Sequence, residues 1–200
     1  NPLLLAVMAA FHAHRGLLPD QRAQLYEDTV NLLLWNWEQA RASAPGEDPV
    51  LRQLLREAGK SDADLYRTLA RRAFMVHLQG GGAGDGPADI AETDLENDLA
   101  ELHPTRSKDW AAKVIEAIRL RAGLLVERTS GVFAFPHRTF QEYLAGAHLA
   151  SVGNFRTEAL ALAKRDLPLC REVLLLAVGK QVYVNKEVDR PLSLVDALCP

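Results

Sequence analysis

The chain is short of the residues that most often carry cross-links or chemistry. Only two of its 200 residues are cysteine, Cys170 and Cys199, and they make no C-x-x-C pair. Neither a disulfide framework nor a thiolate metal site is expected, and a reducing, cytoplasmic setting follows from that. The histidines are His12, His14, His77, His103, His137 and His148, with no H-E-x-x-H among them. No metal site is suggested. G-x-S-x-G is missing, and neither cysteine has a local catalytic signature. Gly59-Lys60-Ser61 ends like a phosphate-binding loop, but Leu54 stands where that loop needs its first glycine. A preceding strand is also wanting, because 51–58 has helical periodicity. Nothing in the chain makes a catalytic constellation.

Long apolar runs and charge of one sign are lacking too. The longest apolar run covers 3–11, well short of the ~20 residues a spanning helix needs. It imitates a signal-peptide core, but no basic segment precedes it. The chain does not start with methionine, and the expectation is that it belongs to a longer polypeptide. A net charge of −3 gives no general attraction to nucleic acid or anionic membrane.

What is present is a helix-rich globular pattern, 48% hydrophobic and 24% charged. A helix over 1–14 sets Leu4, Met8 and Phe11 on one face, with Pro2 in its first turn and Gly16 as its stop. A longer helix over 19–42 carries Tyr26, Val30, Leu33, Leu34 and Trp37 as its stripe. A loop over 44–49 and a short helix over 50–58 follow. Gly59 stops that helix, and Ser61 with Asp64 caps the next, which runs over 62–79 with Leu65, Leu69, Ala73 and Val76 inward. The glycine-rich stretch over 80–87 reads as a flexible linker. Thr93 and Glu96 look like a capping box for a helix with Leu95, Leu99 and Leu102 inward. A helix over 110–122, with Ala111, Val114, Ile115 and Ile118 inward, closes at Gly123.

The stretch over 123–150 organises the rest. Leu124 to Val126 and Val132 to Phe135 read as the two strands of a hairpin about Thr129-Ser130-Gly131, with Phe133 and Phe135 on one face. Pro136 ends the second strand. Thr139 and Glu142 form a T-x-x-E box at the start of a helix whose buried stripe is Phe140, Tyr143, Leu144 and Ala147. Three helices followed by a two-stranded wing is the winged-helix order. The expected fold is therefore mainly α: a helical bundle over 1–58, a winged helix with one small β-hairpin over 59–152, and further helices over 153–200. In that last part, helices are expected over 158–164 and 169–182, and a third from a Ser193–Asp196 cap.

His137 sits between strand end and helix start, where backbone N–H groups and the helix dipole favour anions. An imidazole there can donate to a phosphate. The alternative is a half-exposed loop histidine packed on Phe135.

Phe135-Pro136-His137-Arg138-Thr139-Phe140-Gln141-Glu142-Tyr143-Leu144-Ala145 resembles the F-x-H-x-[ST]-F-Q-E-[FY]-[FL]-A signature. That signature closes the winged helix of NACHT-type STAND signalling NTPases, relatives of the NOD-like immune receptors. The resemblance implies that His137 reaches the β-phosphate of bound ADP and holds the molecule shut. It also makes Asn1-Pro2-Leu3-Leu4-Leu5 similar to the end of a G-x-P element, with Pro2 touching adenine; an ordinary helix-start proline is the other reading. By the same resemblance the missing nucleotide-binding core lies N-terminal to Asn1 and holds Mg with the ADP or ATP. The segment alone is then expected to have no ATPase activity. Exchange of ADP for ATP would permit self-association in a signalling, innate-immune or antiviral switch. Residues 169–177 look like the first helical repeat of a sensor region whose trigger is unknown.

Two other readings stay open. A winged helix invites DNA binding, but its groove-entering helix carries Lys108, Lys113, Arg119 and Arg121 against Asp109 and Glu116, which is only modestly basic. The segment could also be a purely structural helical scaffold.

Overall fold

The computed structural model describes residues 21–36, 50–80 and 86–198. The helix over 1–14 with Pro2, Trp37, the loop over 44–49 and most of the glycine-rich stretch lie outside the described residues.

Helix α1 (Arg22–Asn31) runs into a π-helical turn, Leu32–Asn36, and buries Ala23, Tyr26 and Val30. Helix α2 (Val50–Glu57) stops at Gly59, whose φ of 67° lets the Lys60 N–H return to Leu55 O at 2.8 Å. Helix α3 (Asp62–Gln79) starts on the expected cap. The Asp64 carboxylate accepts the Ser61 N–H at 2.8 Å and the Ser61 hydroxyl at 2.6 Å. Those two bonds, followed by Arg67, hold the Asp64 carboxyl down at about 2.

Strand β1 (Ile90–Ala91) leads straight into helix α4 (Glu92–Ala100). Helix α5 (Lys108–Ala117) opens on Ser107, whose Oγ accepts the Trp110 N–H at 3.2 Å. A π-helical turn, Ile118–Ala122, extends α5 to Gly123, which closes it with φ at 63°. Strands β2 (Val126–Thr129) and β3 (Val132–Ala134) form the wing. The sheet is antiparallel with order β1-β3-β2, pairing Ile90 with Phe133 and Val126 with Ala134.

Helix α6 (Arg138–Ser151) follows the wing. Helices α7 (Phe155–Arg165) and α8 (Leu167–Gly179) come next, α8 extended by a π-helical turn over Lys180–Val184. Helix α9 (Asp189–Leu198) is the last described element.

The fold is mainly α with a winged helix, as the periodicity predicts, but several local expectations are corrected. The sheet has three strands rather than two. A two-residue strand is too short to show alternation, so β1 left no mark in the pattern. Leu124 and Leu125 precede β2 instead of belonging to it and are buried beneath the wing. The Thr93–Glu96 box does not form, because α4 begins two residues earlier, on Ala91: the Glu92 N–H is taken by Gly131 O across the sheet at 2.9 Å. The Thr139–Glu142 box is likewise displaced, His137 taking the cap position. Ser193 does not start a helix. It lies inside α9, its hydroxyl donating to Arg190 O at 2.7 Å.

One apolar core joins α1 to α6 and the sheet around Leu65, Leu69, Leu95, Val114, Phe133, Phe135, Phe140 and Tyr143. Tyr26 stacks on Tyr143 at 5.7 Å and meets Phe140 edge-on at 5.9 Å. A second core gathers Leu149, Phe155, Ala159, Cys170, Val173 and Leu194 under α7 to α9. Helix α6 serves both: Phe140, Tyr143, Leu144 and Ala147 face the first, while Ala145, Leu149 and Ala150 face the second. A helix buried on all sides is fixed in position by its neighbours, each large side chain adding about 1.5–3 kcal/mol of transfer free energy. Cys170 is a fully buried free thiol, raised above its usual pKa by burial and then by Asp166.

Charges are buried as well. Arg72 Nε lies 2.6 Å from Asp98 Oδ2, tying α3 to α4, and both residues are largely shielded from water. Among the described residues no helix is long and apolar enough to cross a membrane.

Candidate functional site at the start of helix α6

The wing delivers His137 to its place. Phe135, buried in the first core, fixes the end of β3, and the chain stays extended at His137 with φ −152° and ψ 148°. His137 is the N-cap of α6. Its Nδ1 accepts the Thr139 backbone N–H at 3.2 Å and lies 3.0 Å from Thr139 Oγ1. An Nδ1 that accepts from a backbone N–H carries no proton, so the ring proton of the neutral imidazole is on Nε2. Among the described residues Nε2 has no hydrogen-bond partner. The ring is half-buried, so an N–H donor stands at the positive end of a 14-residue helix.

The next signature residues face inward. Arg138 Nε pairs with Glu142 Oε1 at 3.0 Å. The buried Gln141 accepts the Ala88 N–H at 2.7 Å and places its amide nitrogen 3.3 Å from His77 Nδ1. The other nitrogen of His77 is 3.0 Å from Leu169 O. A carbonyl can only accept, so His77 Nε2 donates to it and Nδ1 accepts from Gln141, which leaves neither ring nitrogen without a partner. Gln141 thus links α6 to α3, to the segment entering β1 and to the start of α8. These groups line a cavity of about 520 Å³, with Asp89, Arg128 and Arg138 also on its wall. Arg128 is held by Asp89 at 2.9 Å.

Further along α6, the Tyr143 hydroxyl donates to Glu27 Oε2 on α1. The same oxygen accepts from Tyr66 on α3 at 2.7 Å and from Lys180, just past α8, at 2.7 Å. Burial opposes charging Glu27, but the Lys180 ammonium and the three bonds outweigh it, and its carboxyl stays below its ordinary value. Burial, reinforced by the neighbouring charge, drives the Tyr66 and Tyr143 phenols well above theirs. Sequence reasoning missed this cluster by treating acidic residues as solvated faces. A signal existed: Glu27 is four residues from Ala23, and Lys180 is four from Leu176, both on buried stripes.

The structure leaves Pro2 outside the described residues, so it brings His137 together with signature residues only. Among the described residues no group of His, Cys, Asp and Glu is arranged to hold a metal ion. On the would-be DNA-reading side, Arg119 is engaged by Glu116 at 2.8 Å and by Glu127 of β2 at 2.7 Å. The basic charge there is partly neutralised within the fold.

No curated protein and no solved structure matches the chain. A family model does, described as a winged helix-turn-helix domain C-terminal to NACHT, and it covers residues 22–149. The match spans α1 through nearly all of α6, including the wing and the residues around His137. It covers well over half of the 200 residues, so the chain belongs to the family of winged helix-turn-helix domains that lie C-terminal to NACHT.

Proposed function

We propose that this chain is the nucleotide-state-sensing segment of a NACHT-type STAND ATPase, a signalling or defence switch. His137 donates its Nε2–H to the β-phosphate of ADP held by the NACHT domain of the same polypeptide, and Pro2 lines the adenine pocket. The observation that carries this reading is the cap geometry. With Nδ1 committed to Thr139, the one remaining N–H of the ring has no partner among the described residues and stands where the helix dipole favours an anion. A bond to a charged group is worth about 1.5–3 kcal/mol net, which corresponds to roughly a 10- to 100-fold effect on nucleotide retention. A preference of a few kcal/mol for the closed form is enough to keep the active form rare. Exchange for ATP would free the winged helix and permit self-association. Mg belongs with the NACHT core, and no catalytic step is assigned to residues of this segment.

The test is release of labelled ADP from the intact protein. His137→Ala should release it at least about tenfold faster and signal without its trigger; unchanged release would count against the assignment. The DNA reading predicts retardation of duplex DNA in a gel shift with a steep loss on raising salt. The partly neutralised Arg119 face argues for no such retardation.

A further inference from the structure

Helix α8 lies along α6 and is clipped to it at three levels. At its start, Leu169 O is held by His77 and through it by Gln141. Midway, the helices approach so closely that a methyl added at Gly146 would lie 2.9 Å from Val173 O and 3.0 Å from Ala177 N. Past its end, Gln181 donates to Ala150 O at 2.7 Å, satisfying a carbonyl in the last turn of α6. Beside it Lys180 enters the Glu27 cluster, with Nζ 3.4 Å from both the Tyr66 and Tyr143 hydroxyls. Start meets start and end meets end, so the two helices run parallel, and α7 joins them along the chain.

These clips share one register. Sliding α8 by a turn of about 5.4 Å would break all three together, because Leu169 and Lys180 sit eleven residues apart on one rigid rod. A contact that holds as a whole or fails as a whole behaves as two states rather than as a graded spring. The Glu27–Lys180 pair makes the seated state the lower one. Unseating α8 would strand a carboxylate buried against two phenols, and stranding one partner of a buried pair is strongly unfavourable. Tyr143, which shares that carboxylate, is on the same helix as His137 and lies within two turns of it.

We propose that Glu27 and Lys180 are positioning residues for His137: their contact seats α8 on α6 and so transmits the placement of the C-terminal helices to the nucleotide-facing end of α6. The inference rests on the reading of His137 as the nucleotide contact. Neither residue touches the nucleotide in this account. They act by holding the helix that carries the imidazole, and a displacement of α7 to α9 reaches His137 through them.

The experiment measures ADP release and amide hydrogen exchange on the full-length protein carrying Lys180→Met, the pair Glu27→Gln with Lys180→Met, Gly146→Ala, or His137→Ala. Lys180→Met should speed release at least about fivefold, the low end of ordinary allosteric coupling, and raise exchange in α8. The double variant leaves no stranded charge but also no contact, and should release ADP as fast as Lys180→Met. Gly146→Ala wedges the helices apart without touching any charge and should act in the same direction as Lys180→Met. Faster release in His137→Ala together with unchanged release in Lys180→Met and Gly146→Ala overturns the coupling and leaves the His137 reading standing. Return of the double variant to wild-type release also overturns it, because the effect of Lys180→Met would then come from the stranded Glu27 charge and not from the lost contact. Unchanged release in His137→Ala overturns both.

Discussion

His137 Nδ1 accepts the Thr139 backbone N–H at 3.2 Å, so a single imidazole starts helix α6 and keeps its other nitrogen free of partners among the described residues. The two duties can be separated by mutation. Asparagine is a good N-cap and can take over the bond to Thr139, whereas alanine cannot. His137→Ala should cost about 0.5–2 kcal/mol in urea unfolding, and His137→Asn only a few tenths. If both release ADP faster while only the alanine variant is less stable, the nucleotide role is independent of the cap. Equal stability of the two variants would show that the cap contributes nothing.

Arg72 and Asp98 meet at 2.6 Å between α3 and α4 with little access to water. Replacing Arg72 by methionine leaves Asp98, among the described residues, with the half-exposed Arg71, 3.1 Å away. The expected loss is about 3 kcal/mol, the low end for breaking a buried pair. The pair Arg72→Met with Asp98→Leu should recover most of it. Denaturant midpoints of the three variants check the order.

The helices were legible because burial follows a period near 3.6. The inward residues expected on α3, Leu65, Leu69, Ala73 and Val76, are the ones the fold buries, and Phe140, Tyr143, Leu144 and Ala147 behave alike on α6. Helix starts were less legible, because the group that satisfies an end N–H need not be local. Gly131 O takes the Glu92 N–H from across the sheet, and no spacing rule within α4 contains that fact. His137 drew notice through its place between strand and helix, but its cap role was not legible, since histidine is seldom counted among capping residues. Buried ion pairs were the least visible. Glu27 and Lys180 are 153 positions apart, and periodicity can mark each as facing inward without naming its partner.

Acid should weaken the fold through two carboxyls held below their ordinary values. Glu27 and Asp64 bind protons more readily in the unfolded chain, near 4.5 and 3.8, than in the folded one. Their stabilisation is therefore complete at neutral pH and drains away as pH falls through those values and below. Asp64 isolates the effect on the surface. Asp64→Asn should lower the urea midpoint at pH 7, and the gap to the wild type should close as pH drops from 3.8 towards 2. A gap that stays constant with pH would show that the Ser61 cap does not depend on the charge.

Trp110 Nε1 donates to Leu54 O at 2.9 Å, joining α5 to the last turn of α2. Trp110→Phe keeps most of the apolar contact but removes the indole N–H, leaving Leu54 O with the Ala58 N–H at 3.3 Å. A loss of about 0.5–1.5 kcal/mol, the net worth of one hydrogen bond, is expected in thermal or urea unfolding. A loss much larger than this would indicate that the indole volume, rather than its N–H, is what α2 requires.

Cys170 adds a practical consequence. Its sulfur is sealed inside the C-terminal core on the helix that rides along α6, and burial keeps it protonated and unreactive. With Cys199 exchanged for serine, a bulky thiol reagent could reach that sulfur only when the helix lifts away. The rate of its capture would then time each opening, a stopwatch already in place on the helix that leads into Lys180.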